Sequence, residues 1–96
     1  MKKEVRVYTR SECQYCDYAK ELLTERGIPY REIDVGEDYV LRGWLAWATG
    51  QRTLPQIFID GEPKGGFSDL LSLDATGLLR ELTKDIVNNN SDGVQN

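Results

Sequence analysis

Histidine is absent from this 96-residue chain, and cysteine occurs only twice. The first absence removes the side chain that most often moves protons near neutral pH and most often ligates metals. The second leaves a structural zinc site two ligands short of the usual four, and a staple across two intervening residues would stabilise little. Positive charge is also scarce: 12 lysines and arginines face 16 acidic residues, for a formal net charge of −4. No basic field therefore favours a nucleic-acid partner. No apolar run approaches bilayer-spanning length, and no apolar segment follows Met1-Lys2-Lys3 as a secretory signal would require. The chain is expected to be a cytoplasmic monomer without membrane or nucleic-acid partners, in a reducing compartment where permanent disulfides are rare. Repeats and linkers are lacking too. One domain is expected over 1–87, followed by a polar, disordered tail at 88–96.

Within that domain the apolar pattern reads β-α-β-α-β-β-α. A strand over 4–9 carries Val5 and Val7. A helix over 14–26 buries Ala19, Leu22 and Leu23, ends at Gly27, and is barred from continuing by Pro29. A strand at 30–35 follows, then a helix at 38–49 with Val40, Leu41, Trp44, Leu45 and Ala48 at helical spacing, stopped by Gly50. After a strand at 56–60, Asp60-Gly61 is a two-residue hairpin signal into a short strand at 63–65. From Ser68 onward leucines recur at helical spacing as far as Ile86, with Gly77 as the point where that helix would break. Strands joined through a helix pair in parallel and hairpin strands pair antiparallel. The fold class is therefore α/β, one four-stranded mixed sheet with helices on both faces.

The two cysteines stand together as Cys13-Gln14-Tyr15-Cys16, where the first strand meets the first helix, with Arg10 three residues upstream. At a helix N-terminus Cys13 faces unpaired backbone N–H groups and the positive end of the helix dipole. Those groups, and the permanent charge of Arg10, favour thiolate over thiol, so Cys13 is the expected nucleophile. Cys16 lies one turn along on the same side and deeper, within disulfide reach, and is the expected resolving thiol. A static disulfide, half of a zinc site and an inert buried pair are the competing readings. The reducing compartment, the missing ligands and the neighbouring Arg10 weigh against them in turn.

Three further-separated segments carry a resemblance. They are Val7-Tyr8-Thr9-Arg10 leading into the thiol tetrapeptide, Thr53-Leu54-Pro55-Gln56-Ile57-Phe58-Ile59, and Gly65-Gly66-Phe67-Ser68-Asp69-Leu70. In their order and spacing the chain resembles the glutaredoxins over most of its length. The resemblance implies a thioredoxin-like fold, a cis peptide before Pro55 facing the thiols, and glutathione as co-substrate, with a potential of about −200 to −230 mV. It also implies the partners: glutathione, disulfide-bonded or glutathionylated proteins, and glutathione reductase indirectly.

Toward glutathione, Arg10 and Arg52 are expected to hold the glycyl carboxylate, with Arg42 joining from the second helix. Thr53, Leu54 and Pro55 would meet the cysteinyl part, the Leu54 backbone pairing with it as an added strand. The helix start at Ser68 and Asp69 would bind the γ-glutamyl carboxylate, and the Asp69 side chain its amine. Helix capping is the simpler role for those two residues. Tyr15 lines the groove or shields Cys13. Gln14 departs from the family pattern, because dithiol glutaredoxins usually carry proline there. Members without that proline more often hold a bridging [2Fe–2S] cluster, whose ligands would be Cys13 of two protomers and two glutathione thiols. The expected function is a glutathione-dependent thiol–disulfide oxidoreductase that reduces protein disulfides and glutathione mixed disulfides through Cys13 and Cys16. The alternatives are that cluster-carrying dimer and an electron donor to ribonucleotide reductase fed by thioredoxin reductase.

Overall fold

Alternation along two strands, β1 (Val5–Thr9) and β3 (Gln56–Ile59), sets the layers of the fold. Val5, Val7, Ile57 and Ile59 point to one face of the sheet and form the main core with Ala19, Leu22, Leu23, Leu70, Leu79 and Ile86. Tyr8 and Phe58 point to the other face, where Val35 and Leu45 cover them. A period of two in each strand therefore gives two cores, one per face. The computed structural model describes residues 3–95, with side chains through Val87.

The remaining elements are α1 (Gln14–Glu25), β2 (Arg31–Asp34), α2 (Tyr39–Thr49), β4 (Glu62–Gly65), α3 (Phe67–Thr76) and α4 (Leu78–Gln95). The sheet order is β2-β1-β3-β4. β1 and β2 pair in parallel, while β1 with β3 and β3 with β4 pair antiparallel. Helix α2 supplies Leu45 to the smaller core, and α1, α3 and α4 supply the larger one. This is the expected four-stranded mixed sheet with helices on both faces. Asp60 and Gly61 both have positive φ, 52° and 84°, the conformation a two-residue hairpin turn demands. The single last helix of the sequence reading is two helices, separated by Gly77 at φ 84°. Its second part, α4, extends into 88–96, where a disordered tail is expected; the side chains there lie outside the described residues. Among the described residues no helix is long and apolar enough to cross a membrane.

The pairing also collects loops. The end of β1, the start of β3 and the end of β4 lie together, since Tyr8 pairs with Gln56 and Ile57 with Gly65. Segments 10–13, 51–55 and 66–69 therefore converge at one edge of the molecule.

Two polar links brace α1 against its neighbours. Buried Thr9 donates from Oγ1 to Glu32 Oε2 at 2.7 Å, and Lys20 donates to the same oxygen at 3.1 Å. The Thr9 hydroxyl first, and Lys20 with it, hold the Glu32 carboxyl below its ordinary value near 4.5. At the far end of α1, Arg26 grips Asp74 of α3 through two hydrogen bonds of 2.8 and 2.9 Å, which holds Asp74 low as well. Both carboxyls titrate lower in the folded chain than in the unfolded one. Their stabilisation is complete above the unfolded value and is lost as pH falls through the folded one. Melting temperature is thus expected to fall on acidification below about pH 5. The drop should be shallower in Glu32→Gln/Asp74→Asn; an acid limb identical to wild type would remove these pairs as its cause.

Candidate active site

The thiol pair begins where the helix does. Cys13 is the N-cap of α1, with extended backbone at φ −119° and ψ 105°. Its Sγ accepts the Cys16 N–H at 3.2 Å, and its carbonyl accepts the Asp17 N–H at 3.1 Å. Sulfur thus stands where an aspartate or serine oxygen usually caps a helix. A thiolate there would meet an oriented backbone donor and the positive helix end, which is the expected basis for its nucleophilicity. Cys13 and Cys16 are bonded to each other, with Cα atoms 5.2 Å apart. Cys13 is 9% exposed and Cys16 1%. Cys13 is thus the more accessible residue of the pair, though more buried than its loop position suggests. Arg10 is exposed and donates from Nη1 to the Ser11 carbonyl at 3.4 Å, rather than folding back on the sulfur. Gln14 takes the first helical position, and its Nε2 donates to Tyr18 Oη at 2.7 Å.

Across from the thiols stands the segment before β3. The Leu54–Pro55 peptide is cis. Leu54 lies beyond the β1–β3 ladder, which ends at Gln56, and its carbonyl oxygen is 3.9 Å from Cys13 Sγ. Among the described residues its N–H donates to nothing. This is free strand edge beside the Cys13 sulfur.

From there a cleft of about 400 Å³ runs to the start of α3. Tyr15, Gln51, Thr53, Leu54 and Pro55 line one part of it, and Gly66, Phe67, Ser68 and Asp69 the other. Gly66 caps α3 without a side chain, so the first N–H groups of that helix have no capping oxygen. Asp69 reaches back instead, its Oδ2 accepting the Gly66 N–H at 3.0 Å. Capping therefore claims one oxygen of Asp69, while Ser68, inside the helix, caps nothing. A smaller depression adjoins the cleft and brings together Arg42, Gln51, Arg52, Thr53 and Leu54. Arg42 donates to the Gly36 carbonyl at 3.4 Å. Arg10 lines neither hollow.

Tyr15, Tyr18 and Phe67 form an aromatic rim, with ring centroids 5.7 to 6.1 Å apart. Trp44 stacks on Phe58 at 6.0 Å and is 43% exposed, so it is only half a core residue. Gln51 escapes the sequence reading and carries no local signal; Gly66 and Phe67 belong to the 65–70 segment of that reading but have no binding role of their own in it. Among the described residues no group of three or more His, Cys, Asp or Glu side chains is placed to hold a metal ion.

The glutaredoxin family model matches residues 5–63, which take in the thiol pair and Leu54–Pro55. Glutaredoxin 3 of Escherichia coli (strain K12) is 40% identical over 80 residues, covering 83% of this chain and 96% of that protein. A glutaredoxin of Pseudomonas aeruginosa is 40% identical over 76 residues, covering 79% and 90%. Among solved structures, a buckwheat glutaredoxin–glutathione complex superposes with a TM-score of 0.82 at 28% identity, covering 88% of this chain and 79% of that one. A dithiolic glutaredoxin of Trypanosoma brucei brucei gives 0.77 at 37% identity, over 84% and 87%. These matches agree with an unequally exposed, bonded cysteine pair at a helix start, and the chain belongs to the glutaredoxin family of thiol–disulfide oxidoreductases.

Proposed function

We propose that this oxidoreductase draws its electrons from glutathione and acts on glutathione mixed disulfides and protein disulfides, as a cytoplasmic monomer. One observation carries the reading: the free Leu54 strand edge beside Cys13 lies between two anion-seeking ends. On one side stand the uncapped N–H groups of α3, on the other Arg42 and Arg52. Glutathione has a carboxylate at each end and a backbone between them. Its cysteinyl part would pair with Leu54, its γ-glutamyl carboxylate would meet Ser68 and Asp69 at the helix start, and the free Asp69 oxygen would take the amine. The glycyl carboxylate falls to Arg42 and Arg52, with Arg10 near enough in sequence to assist by rotation of its exposed side chain.

The chemistry balances as two exchanges. Cys13 thiolate attacks the glutathionyl sulfur of a mixed disulfide, forming a Cys13–glutathione disulfide and releasing the substrate thiolate, which takes a proton from water. A second glutathione thiolate attacks that bond, giving oxidised glutathione and free Cys13. With a protein disulfide, Cys16 can instead attack the Cys13 mixed disulfide and close the bond seen here. The cluster-carrying alternative needs four thiolate ligands. One chain supplies only Cys13 to it, with Cys16 buried behind, and no step is assigned through a cluster.

Turnover of a glutathionylated protein is expected with glutathione, glutathione reductase and NADPH, and not with thioredoxin reductase and NADPH alone. Equal rates from the two reductants would overturn the glutathione reading. A brown dimer from anaerobic purification with glutathione would favour the cluster instead.

A further inference from the structure

Gln56, the first residue of β3, is completely buried. Its Nε2 donates to Gln51 Oε1 at 2.9 Å and to the Thr53 carbonyl at 2.9 Å, with a longer contact of 3.4 Å to Thr53 Oγ1. Its Oε1 has no partner among the described residues. The Thr53 carbonyl can only accept, so it fixes which way round the Gln56 amide lies. Gln51 must then turn its oxygen inward, toward Gln56. Its own Nε2, with two N–H donors, is left on the exposed side and donates to nothing among the described residues. The Gln51 backbone is held too, its N–H donating to Thr49 Oγ1 at 3.1 Å. Gln51 also lines both the main cleft and the depression that holds Arg42 and Arg52.

We propose that Gln51 is a further binding residue for the glycyl carboxylate of glutathione, and that buried Gln56 is the positioning residue that aims it. An unaided glutamine offers a donor and an acceptor and can swap them by rotation. Here Gln56 holds the amide oxygen inward, so Gln51 turns its N–H groups outward beside the exposed Arg52. The arginines supply charge, and the locked amide supplies direction. A donor-only face suits a carboxylate and penalises a neutral ester in its place.

This inference rests on the glutathione reading, and the test separates the two. Steady-state KM and kcat are measured with glutathione and with its glycyl ethyl ester, together with melting temperature. Gln51→Glu keeps an acceptor for Gln56 Nε2 but replaces the N–H pair with negative charge. It is expected to raise KM for glutathione about tenfold or more, through loss of a hydrogen bond to a charged group together with repulsion by the new carboxylate, while KM for the ester, kcat and melting temperature stay near wild type. Gln56→Leu should shift KM in the same acid-specific sense and add little on top of Gln51→Ala, because both remove one contact. A wild-type acid-to-ester ratio in Gln51→Glu, or an equal rise for acid and ester, overturns the inference. A wild-type enzyme that turns over without glutathione overturns the reading beneath it.

Discussion

Cys13→Ser is expected to lower turnover of glutathione mixed disulfides and of protein disulfides alike by about a thousandfold or more. The helix start that favours a thiolate cannot ionise a serine hydroxyl at neutral pH, so the nucleophile is lost outright. Cys16 cannot replace it. Cys16 is 1% exposed as a residue, and it gives its N–H to Cys13 Sγ rather than receiving one. Fold loss cannot account for the result, because serine is a better N-cap than cysteine and the melting temperature should hold or rise. Cys16→Ser separates the two chemistries. Reduction of glutathione mixed disulfides, which needs one thiol, should persist, whereas protein disulfides that require intramolecular closure should stall as trapped Cys13 adducts visible by mass. Substantial activity in Cys13→Ser would sink the assignment of nucleophile, and equal losses in the two variants would sink the division of roles.

The placement of the two cysteines at the start of α1 was legible in sequence because it depends on local geometry. A strand, a short loop and a helix with cysteines at its cap and third residue leave little choice about which sulfur faces outward. The same holds for Gly50, whose φ of 72° ends α2, and for Asp60-Gly61, where turn chemistry dictates the hairpin. Gly77 was visible as a break, yet apolar spacing runs on past it, so a single helix was the simpler expectation. Period alone does not register a one-residue interruption.

What sequence could not show is where long side chains go. Arg10 reads as an ally of the sulfur, yet its guanidinium finds the carbonyl of Ser11. Asp69 reads as a ligand group, and one of its oxygens is already engaged with the Gly66 N–H. Gln56 reads as an ordinary strand polar residue. Its importance depends on burial between β1 and the 51–53 loop, a tertiary outcome that no local pattern encodes. Gln51 is legible only through Gln56. Polar relays of this kind are specified by which groups lose water, and that is decided by the whole fold.

The glycine pair ahead of α3 yields the second large effect: Gly65→Ala is expected to cost about 2–4 kcal/mol of stability. Two separate causes add. Gly65 has φ 94°, beyond the conformations an L-residue adopts readily. A Cβ there would also lie 2.6 Å from Asp69 Cγ and 2.9 Å from Asp69 Cβ, so the carboxylate must move. Moving it breaks the 3.0 Å bond to the Gly66 N–H that starts the helix. For a domain of this size the melting temperature should fall by about 10 °C or more. KM for glutathione should rise with it, since Asp69 and the α3 N–H groups are the proposed seat of the γ-glutamyl end. The double variant Gly65→Ala/Asp69→Ala distinguishes strain from recognition. With the Asp69 Cγ and carboxylate gone and only the 2.9 Å contact to Cβ left, Asp69→Ala should cost less in the Ala-substituted background than in wild type, a coupling of about 1 kcal/mol. Its KM should nonetheless stay high, because the carboxylate that would take the amine has been removed. Strictly additive stabilities would show that Gly65 and Asp69 do not contend for the same space, and a restored KM would show that Asp69 serves the helix alone.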